Sequence, residues 1–374
     1  MVRTRQRAVG GGTTGATVLA LPPGGSGAAV QDRCADAAAR RAARHRLTAL
    51  LAERLGTGSQ PGQRADGARM ALAIEGGGMR GSVSAGMALA LHELGLLGAF
   101  DAVYGASAGA ISAAWLVSSR PEGLRGWADQ SFASALIRKR NLLRGRPLVD
   151  VERLIEQIYV HEFPLDYASI LANPLELHPL ATDIDTGEVA DLHRELTDCP
   201  ALRLAIRASA ALPVLAGAPI KLGGHRYFDA GLAESVPFRQ ALRDGATHVL
   251  VLRSRPALAG AAAERVEPSL GARFVARVAL RRHPAQLRAS YLCRAARLVD
   301  DDRVLAAYDD DGAPLGDRAV LSLRPDASMP AVSRLETNSS LLGEAFEIGR
   351  GTVYSWQAEL AALIPPAGGH RLAA

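Results

Sequence analysis

The sequence predicts an α/β protein, a three-layer α/β/α sandwich around a mostly parallel central sheet. Strand and helix patterns alternate along most of the chain, as expected when helices cover both faces of a sheet. The segment His248–Leu252 is apolar after its first residue, which is typical of a strand buried inside a parallel sheet. Two glycine-containing loops, Gly76–Gly81 and Gly105–Gly109, each follow a predicted strand, and a right-handed crossover would bring both to the same carboxyl rim.

The first predicted unit of this sheet covers residues 70–117. Met70–Glu75 is a short buried strand. Apolar residues at spacings of four, four and three predict a helix over Ser82–Leu94, which ends at the C-cap residue Gly95. Ala102–Tyr104 and Ala108–Val117 form the next strand and helix.

The rest of the chain carries further strand and helix signals. They predict a mostly helical stretch over Leu124–Ile158, a strand at Leu175–Ala181, a hairpin turn at Thr182–Glu188, a helix at Pro200–Ala211, a strand at His225–Phe228, one or two basic helices over 271–299 and a closing helix at Leu335–Leu363.

Composition divides the chain into four parts. Residues 1–30, rich in glycine, threonine and proline, are predicted to be disordered. Residues 31–67 are predicted to form a basic helix and a linker, and the main folded domain is predicted over 68–365, followed by a tail at 366–374.

The charge pattern argues only weakly for an anionic partner. The net charge is +5, and all but two of the 43 basic residues are arginine. Together with abundant alanine, this is the codon bias of a GC-rich genome rather than a nucleic-acid site. Cys34, Cys199 and Cys293 are far apart and form no CxxC pair, which predicts a reducing compartment without disulfides or a zinc site.

Localisation signals are weak. No apolar run approaches the roughly 18 residues of a membrane span. The short apolar patch Ala16–Leu21 is interrupted by prolines and glycines, so we expect no signal peptide. The sequence therefore predicts a cytoplasmic protein, with peripheral membrane contact as an option.

Three functions compete for the loop Gly76–Gly81. A dinucleotide site fits the local string but needs an acidic residue at the end of the next strand, where Ser107 stands. A phosphate loop needs Gly-Lys-Ser/Thr, and Ser82 follows Gly81 directly. An oxyanion hole fits, because consecutive glycines let several N–H groups point at one spot beside a helix start. The candidate oxyanion-hole residues are Gly76, Gly77, Gly78, Arg80 and Gly81.

Ser107 is the candidate nucleophile. It stands in a G-x-S-x-G pattern, which forms a sharp strand-to-helix turn that exposes the hydroxyl. Its neighbours Gly105, Ala108 and Gly109 are small, as the close packing of strand and helix at such a turn requires. The position between a predicted strand and a predicted helix favours catalysis over a chance match.

Two types of residue, a histidine or an aspartate, could act as the base for this serine. In α/β-hydrolases a histidine follows the serine and the acid, so His248, His283 or His370 could serve, but none has local context for catalysis. Asp229 stands at the end of a predicted strand, from which a carboxylate can reach a neighbouring strand end. A turn-capping role is the common alternative for such an aspartate.

These segments resemble the signatures of patatin-like phospholipases. The similar segments are Gly76–Gly81, Gly105–Gly109, Ala208–Pro213 and Asp229–Gly231, and the resemblance covers roughly residues 70–355. It implies a patatin-like fold and a lipid acyl hydrolase that cleaves carboxylic esters of lipids or fatty-acyl compounds, without cofactor or metal. The remaining possibilities are a Ser-His-Asp esterase and a lipid-binding protein of the same fold without turnover.

The resemblance also implies roles for individual residues. Ser107 would be the nucleophile, Asp229 the base, and the N–H groups of Gly77 and Gly78 the oxyanion donors, with Arg80 nearby. The family usually has glycine directly after the aspartate, whereas this chain has Ala230 followed by Gly231. If that position needs a positive φ, alanine there is strained.

A basic segment follows the sheet. Residues 271–299 contain seven arginines and no acidic residue, and Arg273, Arg277 and Arg281 are spaced by four. This spacing predicts a stripe along one side of a helix. It is either an ordinary solvated face of an arginine-rich protein or a contact surface for an anionic membrane.

Overall fold

A computed structural model of the chain describes residues 45–142, 144–257, 267–309 and 318–363. The predictions for residues 1–30 and for the tail at 366–374 lie outside these residues, as does the first part of the predicted basic helix.

The helices lie on both sides of a central sheet. In chain order they are α1 (Arg46–Thr57), α2 (Gly81–Glu93), α3 (Ala108–Val117), α4 (Gln130–Leu136), α5 (Lys139–Leu142), α6 (Val151–Arg153, continued by a π-helical segment Leu154–Glu162), α7 (Tyr167–Ala172), α8 (Cys199–Ser209), α9 (Phe238–Arg243), α10 (Leu270–Val278), α11 (Ala285–Asp309) and α12 (Ser339–Leu363). Short 3₁₀ segments occur at Gly78–Arg80, Leu96–Ala99, Pro121–Ala128, His193–Glu195 and Ala230–Leu232.

The described strands form one eight-stranded sheet. They are β1 (Met70–Ile74), β2 (Ala102–Ala106), β3 (Glu176–Asp183), β4 (Val189–Asp191), β5 (Ile220–Leu222), β6 (His225–Asp229), β7 (His248–Leu252) and β8 (Ala319–Leu323). Their order is β5-β6-β3-β2-β1-β7-β8, with β4 paired to β3. The strands β3, β2, β1, β7 and β8 are mutually parallel, whereas β4, β5 and β6 pair antiparallel.

Alternate residues of β1 face two separate hydrophobic cores. Leu72 and Ile74 pack with α2, α3 and α12 on one side of the sheet. Ala71 and Ala73 pack with α9 and α11 on the other side. Since a strand turns successive side chains to opposite faces, this arrangement is a three-layer sandwich, and the predicted fold class is confirmed.

Most predicted elements of the βαβ core are present at nearly the expected bounds, and α3 and β7 match at both ends. The strands β4, β5 and β8 were not predicted. The strands β4 and β5 have three residues each and are partly exposed, so they carry no clear apolar pattern. The five residues of β8 are all buried, but Ser322 interrupts their apolar run.

Helix α1 is packed against the sheet domain. Leu47 and Leu51 are buried in the same core as α2 and α12. The buried Arg54 forms ion pairs with Asp66 and Asp101 at 2.8 Å. The sequence predicted that the folded domain starts at residue 68. In the structure, α1 and the segment after it also contact the sheet domain, so the folded part includes them.

Within the described ranges, none of the helices combines the length and the apolar character needed to cross a bilayer.

Helices α2 and α12 cross in direct backbone contact. A Cβ added to Gly86 would lie 2.0 Å from the carbonyl oxygen of Phe346, and one added to Gly349 would lie 2.0 Å from that of Val83. Both glycines therefore permit an approach that no other residue allows. Gly351, in the same helix α12, has no atom within 4 Å of an added Cβ.

We expect Gly86→Ala to destabilise the fold by about 1–3 kcal/mol, because the methyl group would force the two helices apart. The control Gly351→Ala should instead stabilise it by up to about 1 kcal/mol through helix propensity. The measurement is the free energy of unfolding by urea denaturation. Equal effects of the two variants would show that α2 and α12 do not cross this closely.

Candidate active site

Ser107 occupies a strained turn between β2 and α3. It has φ 56° and ψ −121°, and it is one of two non-glycine residues with positive φ in the described part of the chain. Close packing enforces the turn: a Cβ at Gly105 would lie 2.4 Å from the Cα of Ala110, and one at Gly109 would lie 2.2 Å from the carbonyl oxygen of Ile74. This is the geometry of a nucleophile elbow.

The elbow is held by Ser209, a residue without a catalytic signature in the sequence. The N–H of Ser107 donates to the Oγ of Ser209 at 2.9 Å, and Ser209 is fully buried at the end of α8. The only sequence signal for Ser209 is its position in the segment Ala208–Pro213, one of the segments that resemble the family.

The structure brings Ser107 and Asp229 into contact. The Oγ of Ser107 donates to the Oδ2 of Asp229 at 2.7 Å. Asp229 ends β6, which pairs with β3 so that Asp229 lies opposite Ala181, while Leu180 lies opposite Ala106 of β2. The two side chains therefore approach each other across β3, from an antiparallel strand on one side and a parallel strand on the other.

Asp229 is fixed and buried. Its Oδ1 accepts the N–H of Gly231 at 2.7 Å, which leaves Oδ2 for the serine. Burial raises the pKa of the Asp229 carboxyl above its ordinary value, although the hydrogen bonds from Ser107 and Gly231 and the charge of Arg334 act in the opposite direction. A raised pKa makes this carboxylate a stronger base than an exposed aspartate.

The residue after the aspartate is not strained. Ala230 is completely buried and begins a short 3₁₀ segment. The non-glycine residues with positive φ among the described residues are Ser107 and Val214, so Ala230 has an ordinary φ. The strain considered for alanine at this position does not occur.

The glycine loop presents two N–H groups next to the serine. The N–H of Gly76 donates to the carbonyl of Ser235 at 3.0 Å and is not free. For the N–H groups of Gly77 and Gly78, the described residues provide no acceptor. Glycine is required at position 78, which has φ 60° and where a Cβ would lie 2.5 Å from the carbonyl oxygen of Arg334.

Arg80 and Gly81 support the loop without lining the cavity above Ser107. The N–H of Gly81 bonds to carbonyls within the loop. The guanidinium of Arg80 lies behind Gly77, and its Nε and Nη2 find no partner among the described residues. Burial, together with the charges of Arg255 and Arg334, lowers the pKa of Arg80 to about 10.

A buried ion-pair network anchors the start of the loop. Glu75, which is fully buried, accepts from the Nε of Arg253 at 2.8 Å, from the N–H of Ser254 at 2.8 Å and from the Nε of Arg255 at 3.1 Å. Burial alone would raise the pKa of Glu75, but the two guanidinium groups outweigh it and hold the pKa at about 2. Glu75 is therefore a structural carboxylate that stays ionised.

A cavity of about 420 Å³ opens above Ser107 and Asp229. Most of its lining is apolar, with side chains from Met79, Ala108, Ile111, Trp127, Leu136, Ile137, Val149, Val151, Ala210, Leu212, Leu215 and Leu335. Its charged lining residues are Asp229, Arg255, Arg294 and Arg334. The cavity thus suits a ligand that is largely apolar.

The candidate histidine bases lie elsewhere. His248 is the first residue of β7 and lies at the amino ends of the parallel strands, whereas Ser107 follows the carboxyl end of β2. Burial together with nearby arginines lowers the pKa of His248 to about 4. His283 packs edge-on against Phe228, with 5.2 Å between ring centroids. No described histidine lines the cavity, and His370 lies outside the described residues.

Two groups of possible metal ligands lie at the amino end of β3. Within each group, the ligand atoms are within 4.8 Å of one another; the groups are Glu176/His178/His193 and His178/Asp191/Asp244. His178 is already hydrogen-bonded to Asp191 at 2.7 Å. Burial alone would lower the pKa of His178, but Asp191 and Glu176 outweigh it and raise the pKa. Since Asp191 and Glu176 already occupy both ring nitrogens of His178, the cluster is better described as a hydrogen-bonded network.

A family comparison agrees with this site. The family model described as "Patatin-like phospholipase" matches residues 72–242, a segment that contains the glycine loop, the elbow and Asp229. This segment is therefore similar to the patatin-like phospholipase family.

Two curated relatives are similar to about half of the chain. The chain is 28% identical over 205 residues to the uncharacterized protein YjjU of Escherichia coli, covering 50% of this chain and 52% of the relative. It is 26% identical over 221 residues to the uncharacterized NTE family protein Rv1063c of Mycobacterium tuberculosis, covering 56% and 55%. The chain thus spans about half the length of the curated relatives it matches.

Similarity to solved structures is low. VipD from Legionella pneumophila aligns with a TM-score of 0.37 and 14% identity, covering 78% of this chain and 67% of that protein.

Proposed function

We propose that the chain is a lipid acyl hydrolase that cleaves carboxylic esters, with Ser107 as the nucleophile and Asp229 as the base. The proposal rests on the 2.7 Å hydrogen bond between the Oγ of Ser107 and a buried carboxylate. It is supported by the apolar cavity above this pair and by the match of the patatin-like phospholipase model to residues 72–242.

In the proposed first half-reaction, Asp229 accepts the proton of Ser107 while Oγ attacks the ester carbonyl. The N–H groups of Gly77 and Gly78 stabilise the negative charge that develops on the carbonyl oxygen. Each such donor contributes about 3 kcal/mol to the transition state in enzymes of this type. The alcohol leaves with the proton from Asp229, and the acyl group stays on Ser107.

In the second half-reaction, water takes the place of the alcohol. The same carboxylate accepts a proton from water, and the hydroxide attacks the acyl-enzyme. The carbonyl oxygen is held by the same loop. The fatty acid leaves, and the proton returns from Asp229 to the Oγ of Ser107, which restores the resting state. The apolar lining of the cavity receives the acyl chain throughout.

The proposed roles predict distinct losses. Ser107→Ala should abolish both hydrolysis of p-nitrophenyl butyrate and covalent labelling by a fluorophosphonate, because no other group supplies the attacking oxygen. Asp229→Asn should lower kcat by about 10²- to 10⁴-fold, the usual contribution of a positioned base.

Matched controls are His248→Ala and His283→Ala, which should each cost little activity. A histidine variant that loses as much as Asp229→Asn would favour a Ser-His-Asp esterase. Full fluorophosphonate labelling without hydrolysis of any ester or lipid would favour a lipid-binding protein of the same fold.

The pH dependence follows from the raised pKa of Asp229. Since only the ionised carboxylate accepts a proton, kcat/KM should fall as the pH drops through this pKa, above the value of about 4 for an exposed aspartate. Arg334→Gln removes a positive charge that favours the ionised form, so it should move this acid limb to higher pH. A pH–rate profile that is the same in both proteins would contradict the influence of Arg334 on the base.

Helix α10 is the proposed contact with an anionic membrane. Leu270, Phe274 and Val278 form an exposed apolar row on the helix, with 86%, 66% and 49% exposure. Arg273 and Arg277 lie beside this row, and both are exposed. The helix ends at Val278, so Arg281 belongs to the following turn rather than to the helical stripe that the sequence predicted. Apolar and basic side chains side by side are typical of helices at membrane surfaces.

This surface predicts substrate-dependent losses. Changing Arg273, Arg277 and Arg281 together to glutamine should weaken binding to anionic vesicles, since each arginine contributes about 1 kcal/mol near such lipids. Phe274→Ser should weaken it as well. Vesicle sedimentation and hydrolysis of vesicle lipid measure the effect, with a soluble short-chain ester as the control. Equal losses on both substrates would contradict membrane contact and show that α10 is an ordinary solvated helix.

A further inference from the structure

The cavity above Ser107 has an open part and a buried part. Leu212 and Leu215 are partly exposed and Leu335 is exposed, so these three lining residues lie at its mouth. Other apolar lining residues are buried, with 7% exposure or less: Ile111, Trp127, Leu136, Ile137 and Val151. The cavity therefore extends from its mouth into an apolar part that is closed to solvent.

Backbone hydrogen bonds fix one wall of the buried part. The N–H of Asp150 donates to the carbonyl of Leu136 at 2.8 Å, and Ile137 pairs with Val149 in an antiparallel bridge. The N–H of Val149 in turn donates to the carbonyl of Leu215 at 2.9 Å. Since the main chain holds this wall, side chains decide how far the cavity extends.

Trp127 stands between the cavity and an aromatic cluster. The indole is 2% exposed, lines the cavity and packs against Phe132 with 4.9 Å between ring centroids. Phe132 stacks on Tyr159 at 6.3 Å, and neither of these two rings lines the cavity. On its other side the indole faces the glycine loop, because a Cβ added to Gly81 would lie 3.6 Å from its Cη2. The indole thus closes the cavity between the loop and the cluster.

The indole of Trp127 closes the cavity by packing alone. Its N–H finds no acceptor among the described residues, so replacement by an aliphatic side chain breaks no hydrogen bond there. A smaller side chain would leave part of the removed volume as space that continues the cavity towards Phe132. The size of the side chain at position 127 therefore controls the depth of the buried part.

The acyl chain is the part of the substrate that suits the buried part. An alcohol or head group carries polar atoms, which lose their hydrogen bonds to water in an apolar space without partners. The mouth provides solvent and the exposed lining residues Ser333 and Arg334. A saturated acyl chain needs no such partners, and each methylene group that it buries strengthens binding about fourfold.

We infer that Trp127 sets the upper limit of the acyl-chain length that the chain accepts. This inference rests on the proposed acyl hydrolase function and adds the acyl-chain specificity to it. Since a water-sized group takes about 30 Å³, the whole cavity of about 420 Å³ holds about 14 such groups, and the alcohol needs some of this space. The limit in the wild-type chain is therefore below about 14 carbons.

The test measures the length limit, the number of acyl carbons beyond which kcat/KM no longer rises. The substrates are p-nitrophenyl esters of saturated fatty acids below their aggregation concentrations. We expect kcat/KM to rise about fourfold per methylene group up to the limit. Trp127→Leu should raise the limit by about two to four carbons, because part of the removed volume stays open. Trp127→Phe, which keeps a ring against Phe132 and disturbs the fold less, should raise it by a smaller amount.

Trp115→Leu is the matched control, because it is the same substitution in the same aromatic cluster. Trp115 is 1% exposed and packs edge-on against Tyr159 at 5.1 Å, but it does not line the cavity. This variant should leave the length limit unchanged. In a series of alkyl butyrates, where only the alcohol lengthens, Trp127→Leu should have no effect on the profile. An unchanged acyl limit in both Trp127 variants, an equal shift in Trp115→Leu, or an equal shift in the alcohol series would overturn the inference.

Binding of fatty acids to the Ser107→Ala variant separates this inference from the proposed activity. Calorimetry with monomeric saturated fatty acids should show an affinity that rises with length up to a limit, and adding Trp127→Leu should raise that limit as in the kinetics. A limit that does not depend on Trp127 would overturn the inference even if the wild-type chain hydrolyses esters. A limit that moves with Trp127 in a chain that hydrolyses no ester would support the inference for binding and contradict the proposed hydrolase.

Discussion

The site depends on the close packing of backbone segments where β1, β2 and α3 meet. Gly109 lies against the carbonyl of Ile74, and Gly105 lies against the backbone of Ala110, at distances that admit no Cβ. A Cβ at Gly76 would likewise lie 2.6 Å from the carbonyl oxygen of Ala106. These contacts force Ser107 into its positive φ and bring the glycine loop beside it. The distance between the hydroxyl and the loop N–H groups is therefore set by backbone, not by flexible side chains.

Buried ion pairs hold these packed segments in place. Moving a carboxylate into a protein interior costs several kcal/mol, which ion pairs offset only when their geometry is good. Glu75 meets that condition with two arginines and one backbone N–H, and Arg253 also pairs with Asp302 of α11. The network connects the ends of β1 and β7 to α11. It therefore links the glycine loop to the segments that supply Arg255 and Arg294.

Local constraints made the elbow and the loop predictable from sequence. Gly105, Gly109 and Gly78 are required by contacts or dihedral angles close to them in the chain or in the next strand, and such requirements leave a motif. Arg334 left no motif, because the backbone carbonyl that accepts the N–H of Met79 could come from any residue type. Ser209 lies in a segment that resembles the family, but its hydrogen bond to the N–H of Ser107 joins residues more than 100 positions apart, and the resemblance alone does not reveal it. The packing of α1 was missed for the same reason, since it depends on ion pairs of Arg54 with distant carboxylates.

A carboxylate can replace histidine as the base only if its basicity is raised without loss of its charge. An exposed aspartate is too weak a base, and a buried one without partners would be protonated. At Asp229, burial raises the pKa, while the N–H of Gly231, the hydroxyl of Ser107 and the charge of Arg334 oppose the loss of the ionised form. The N–H group fixes one oxygen and directs the other at the serine. In the proposed reaction, the charge of Arg334 would therefore help to keep the base ionised.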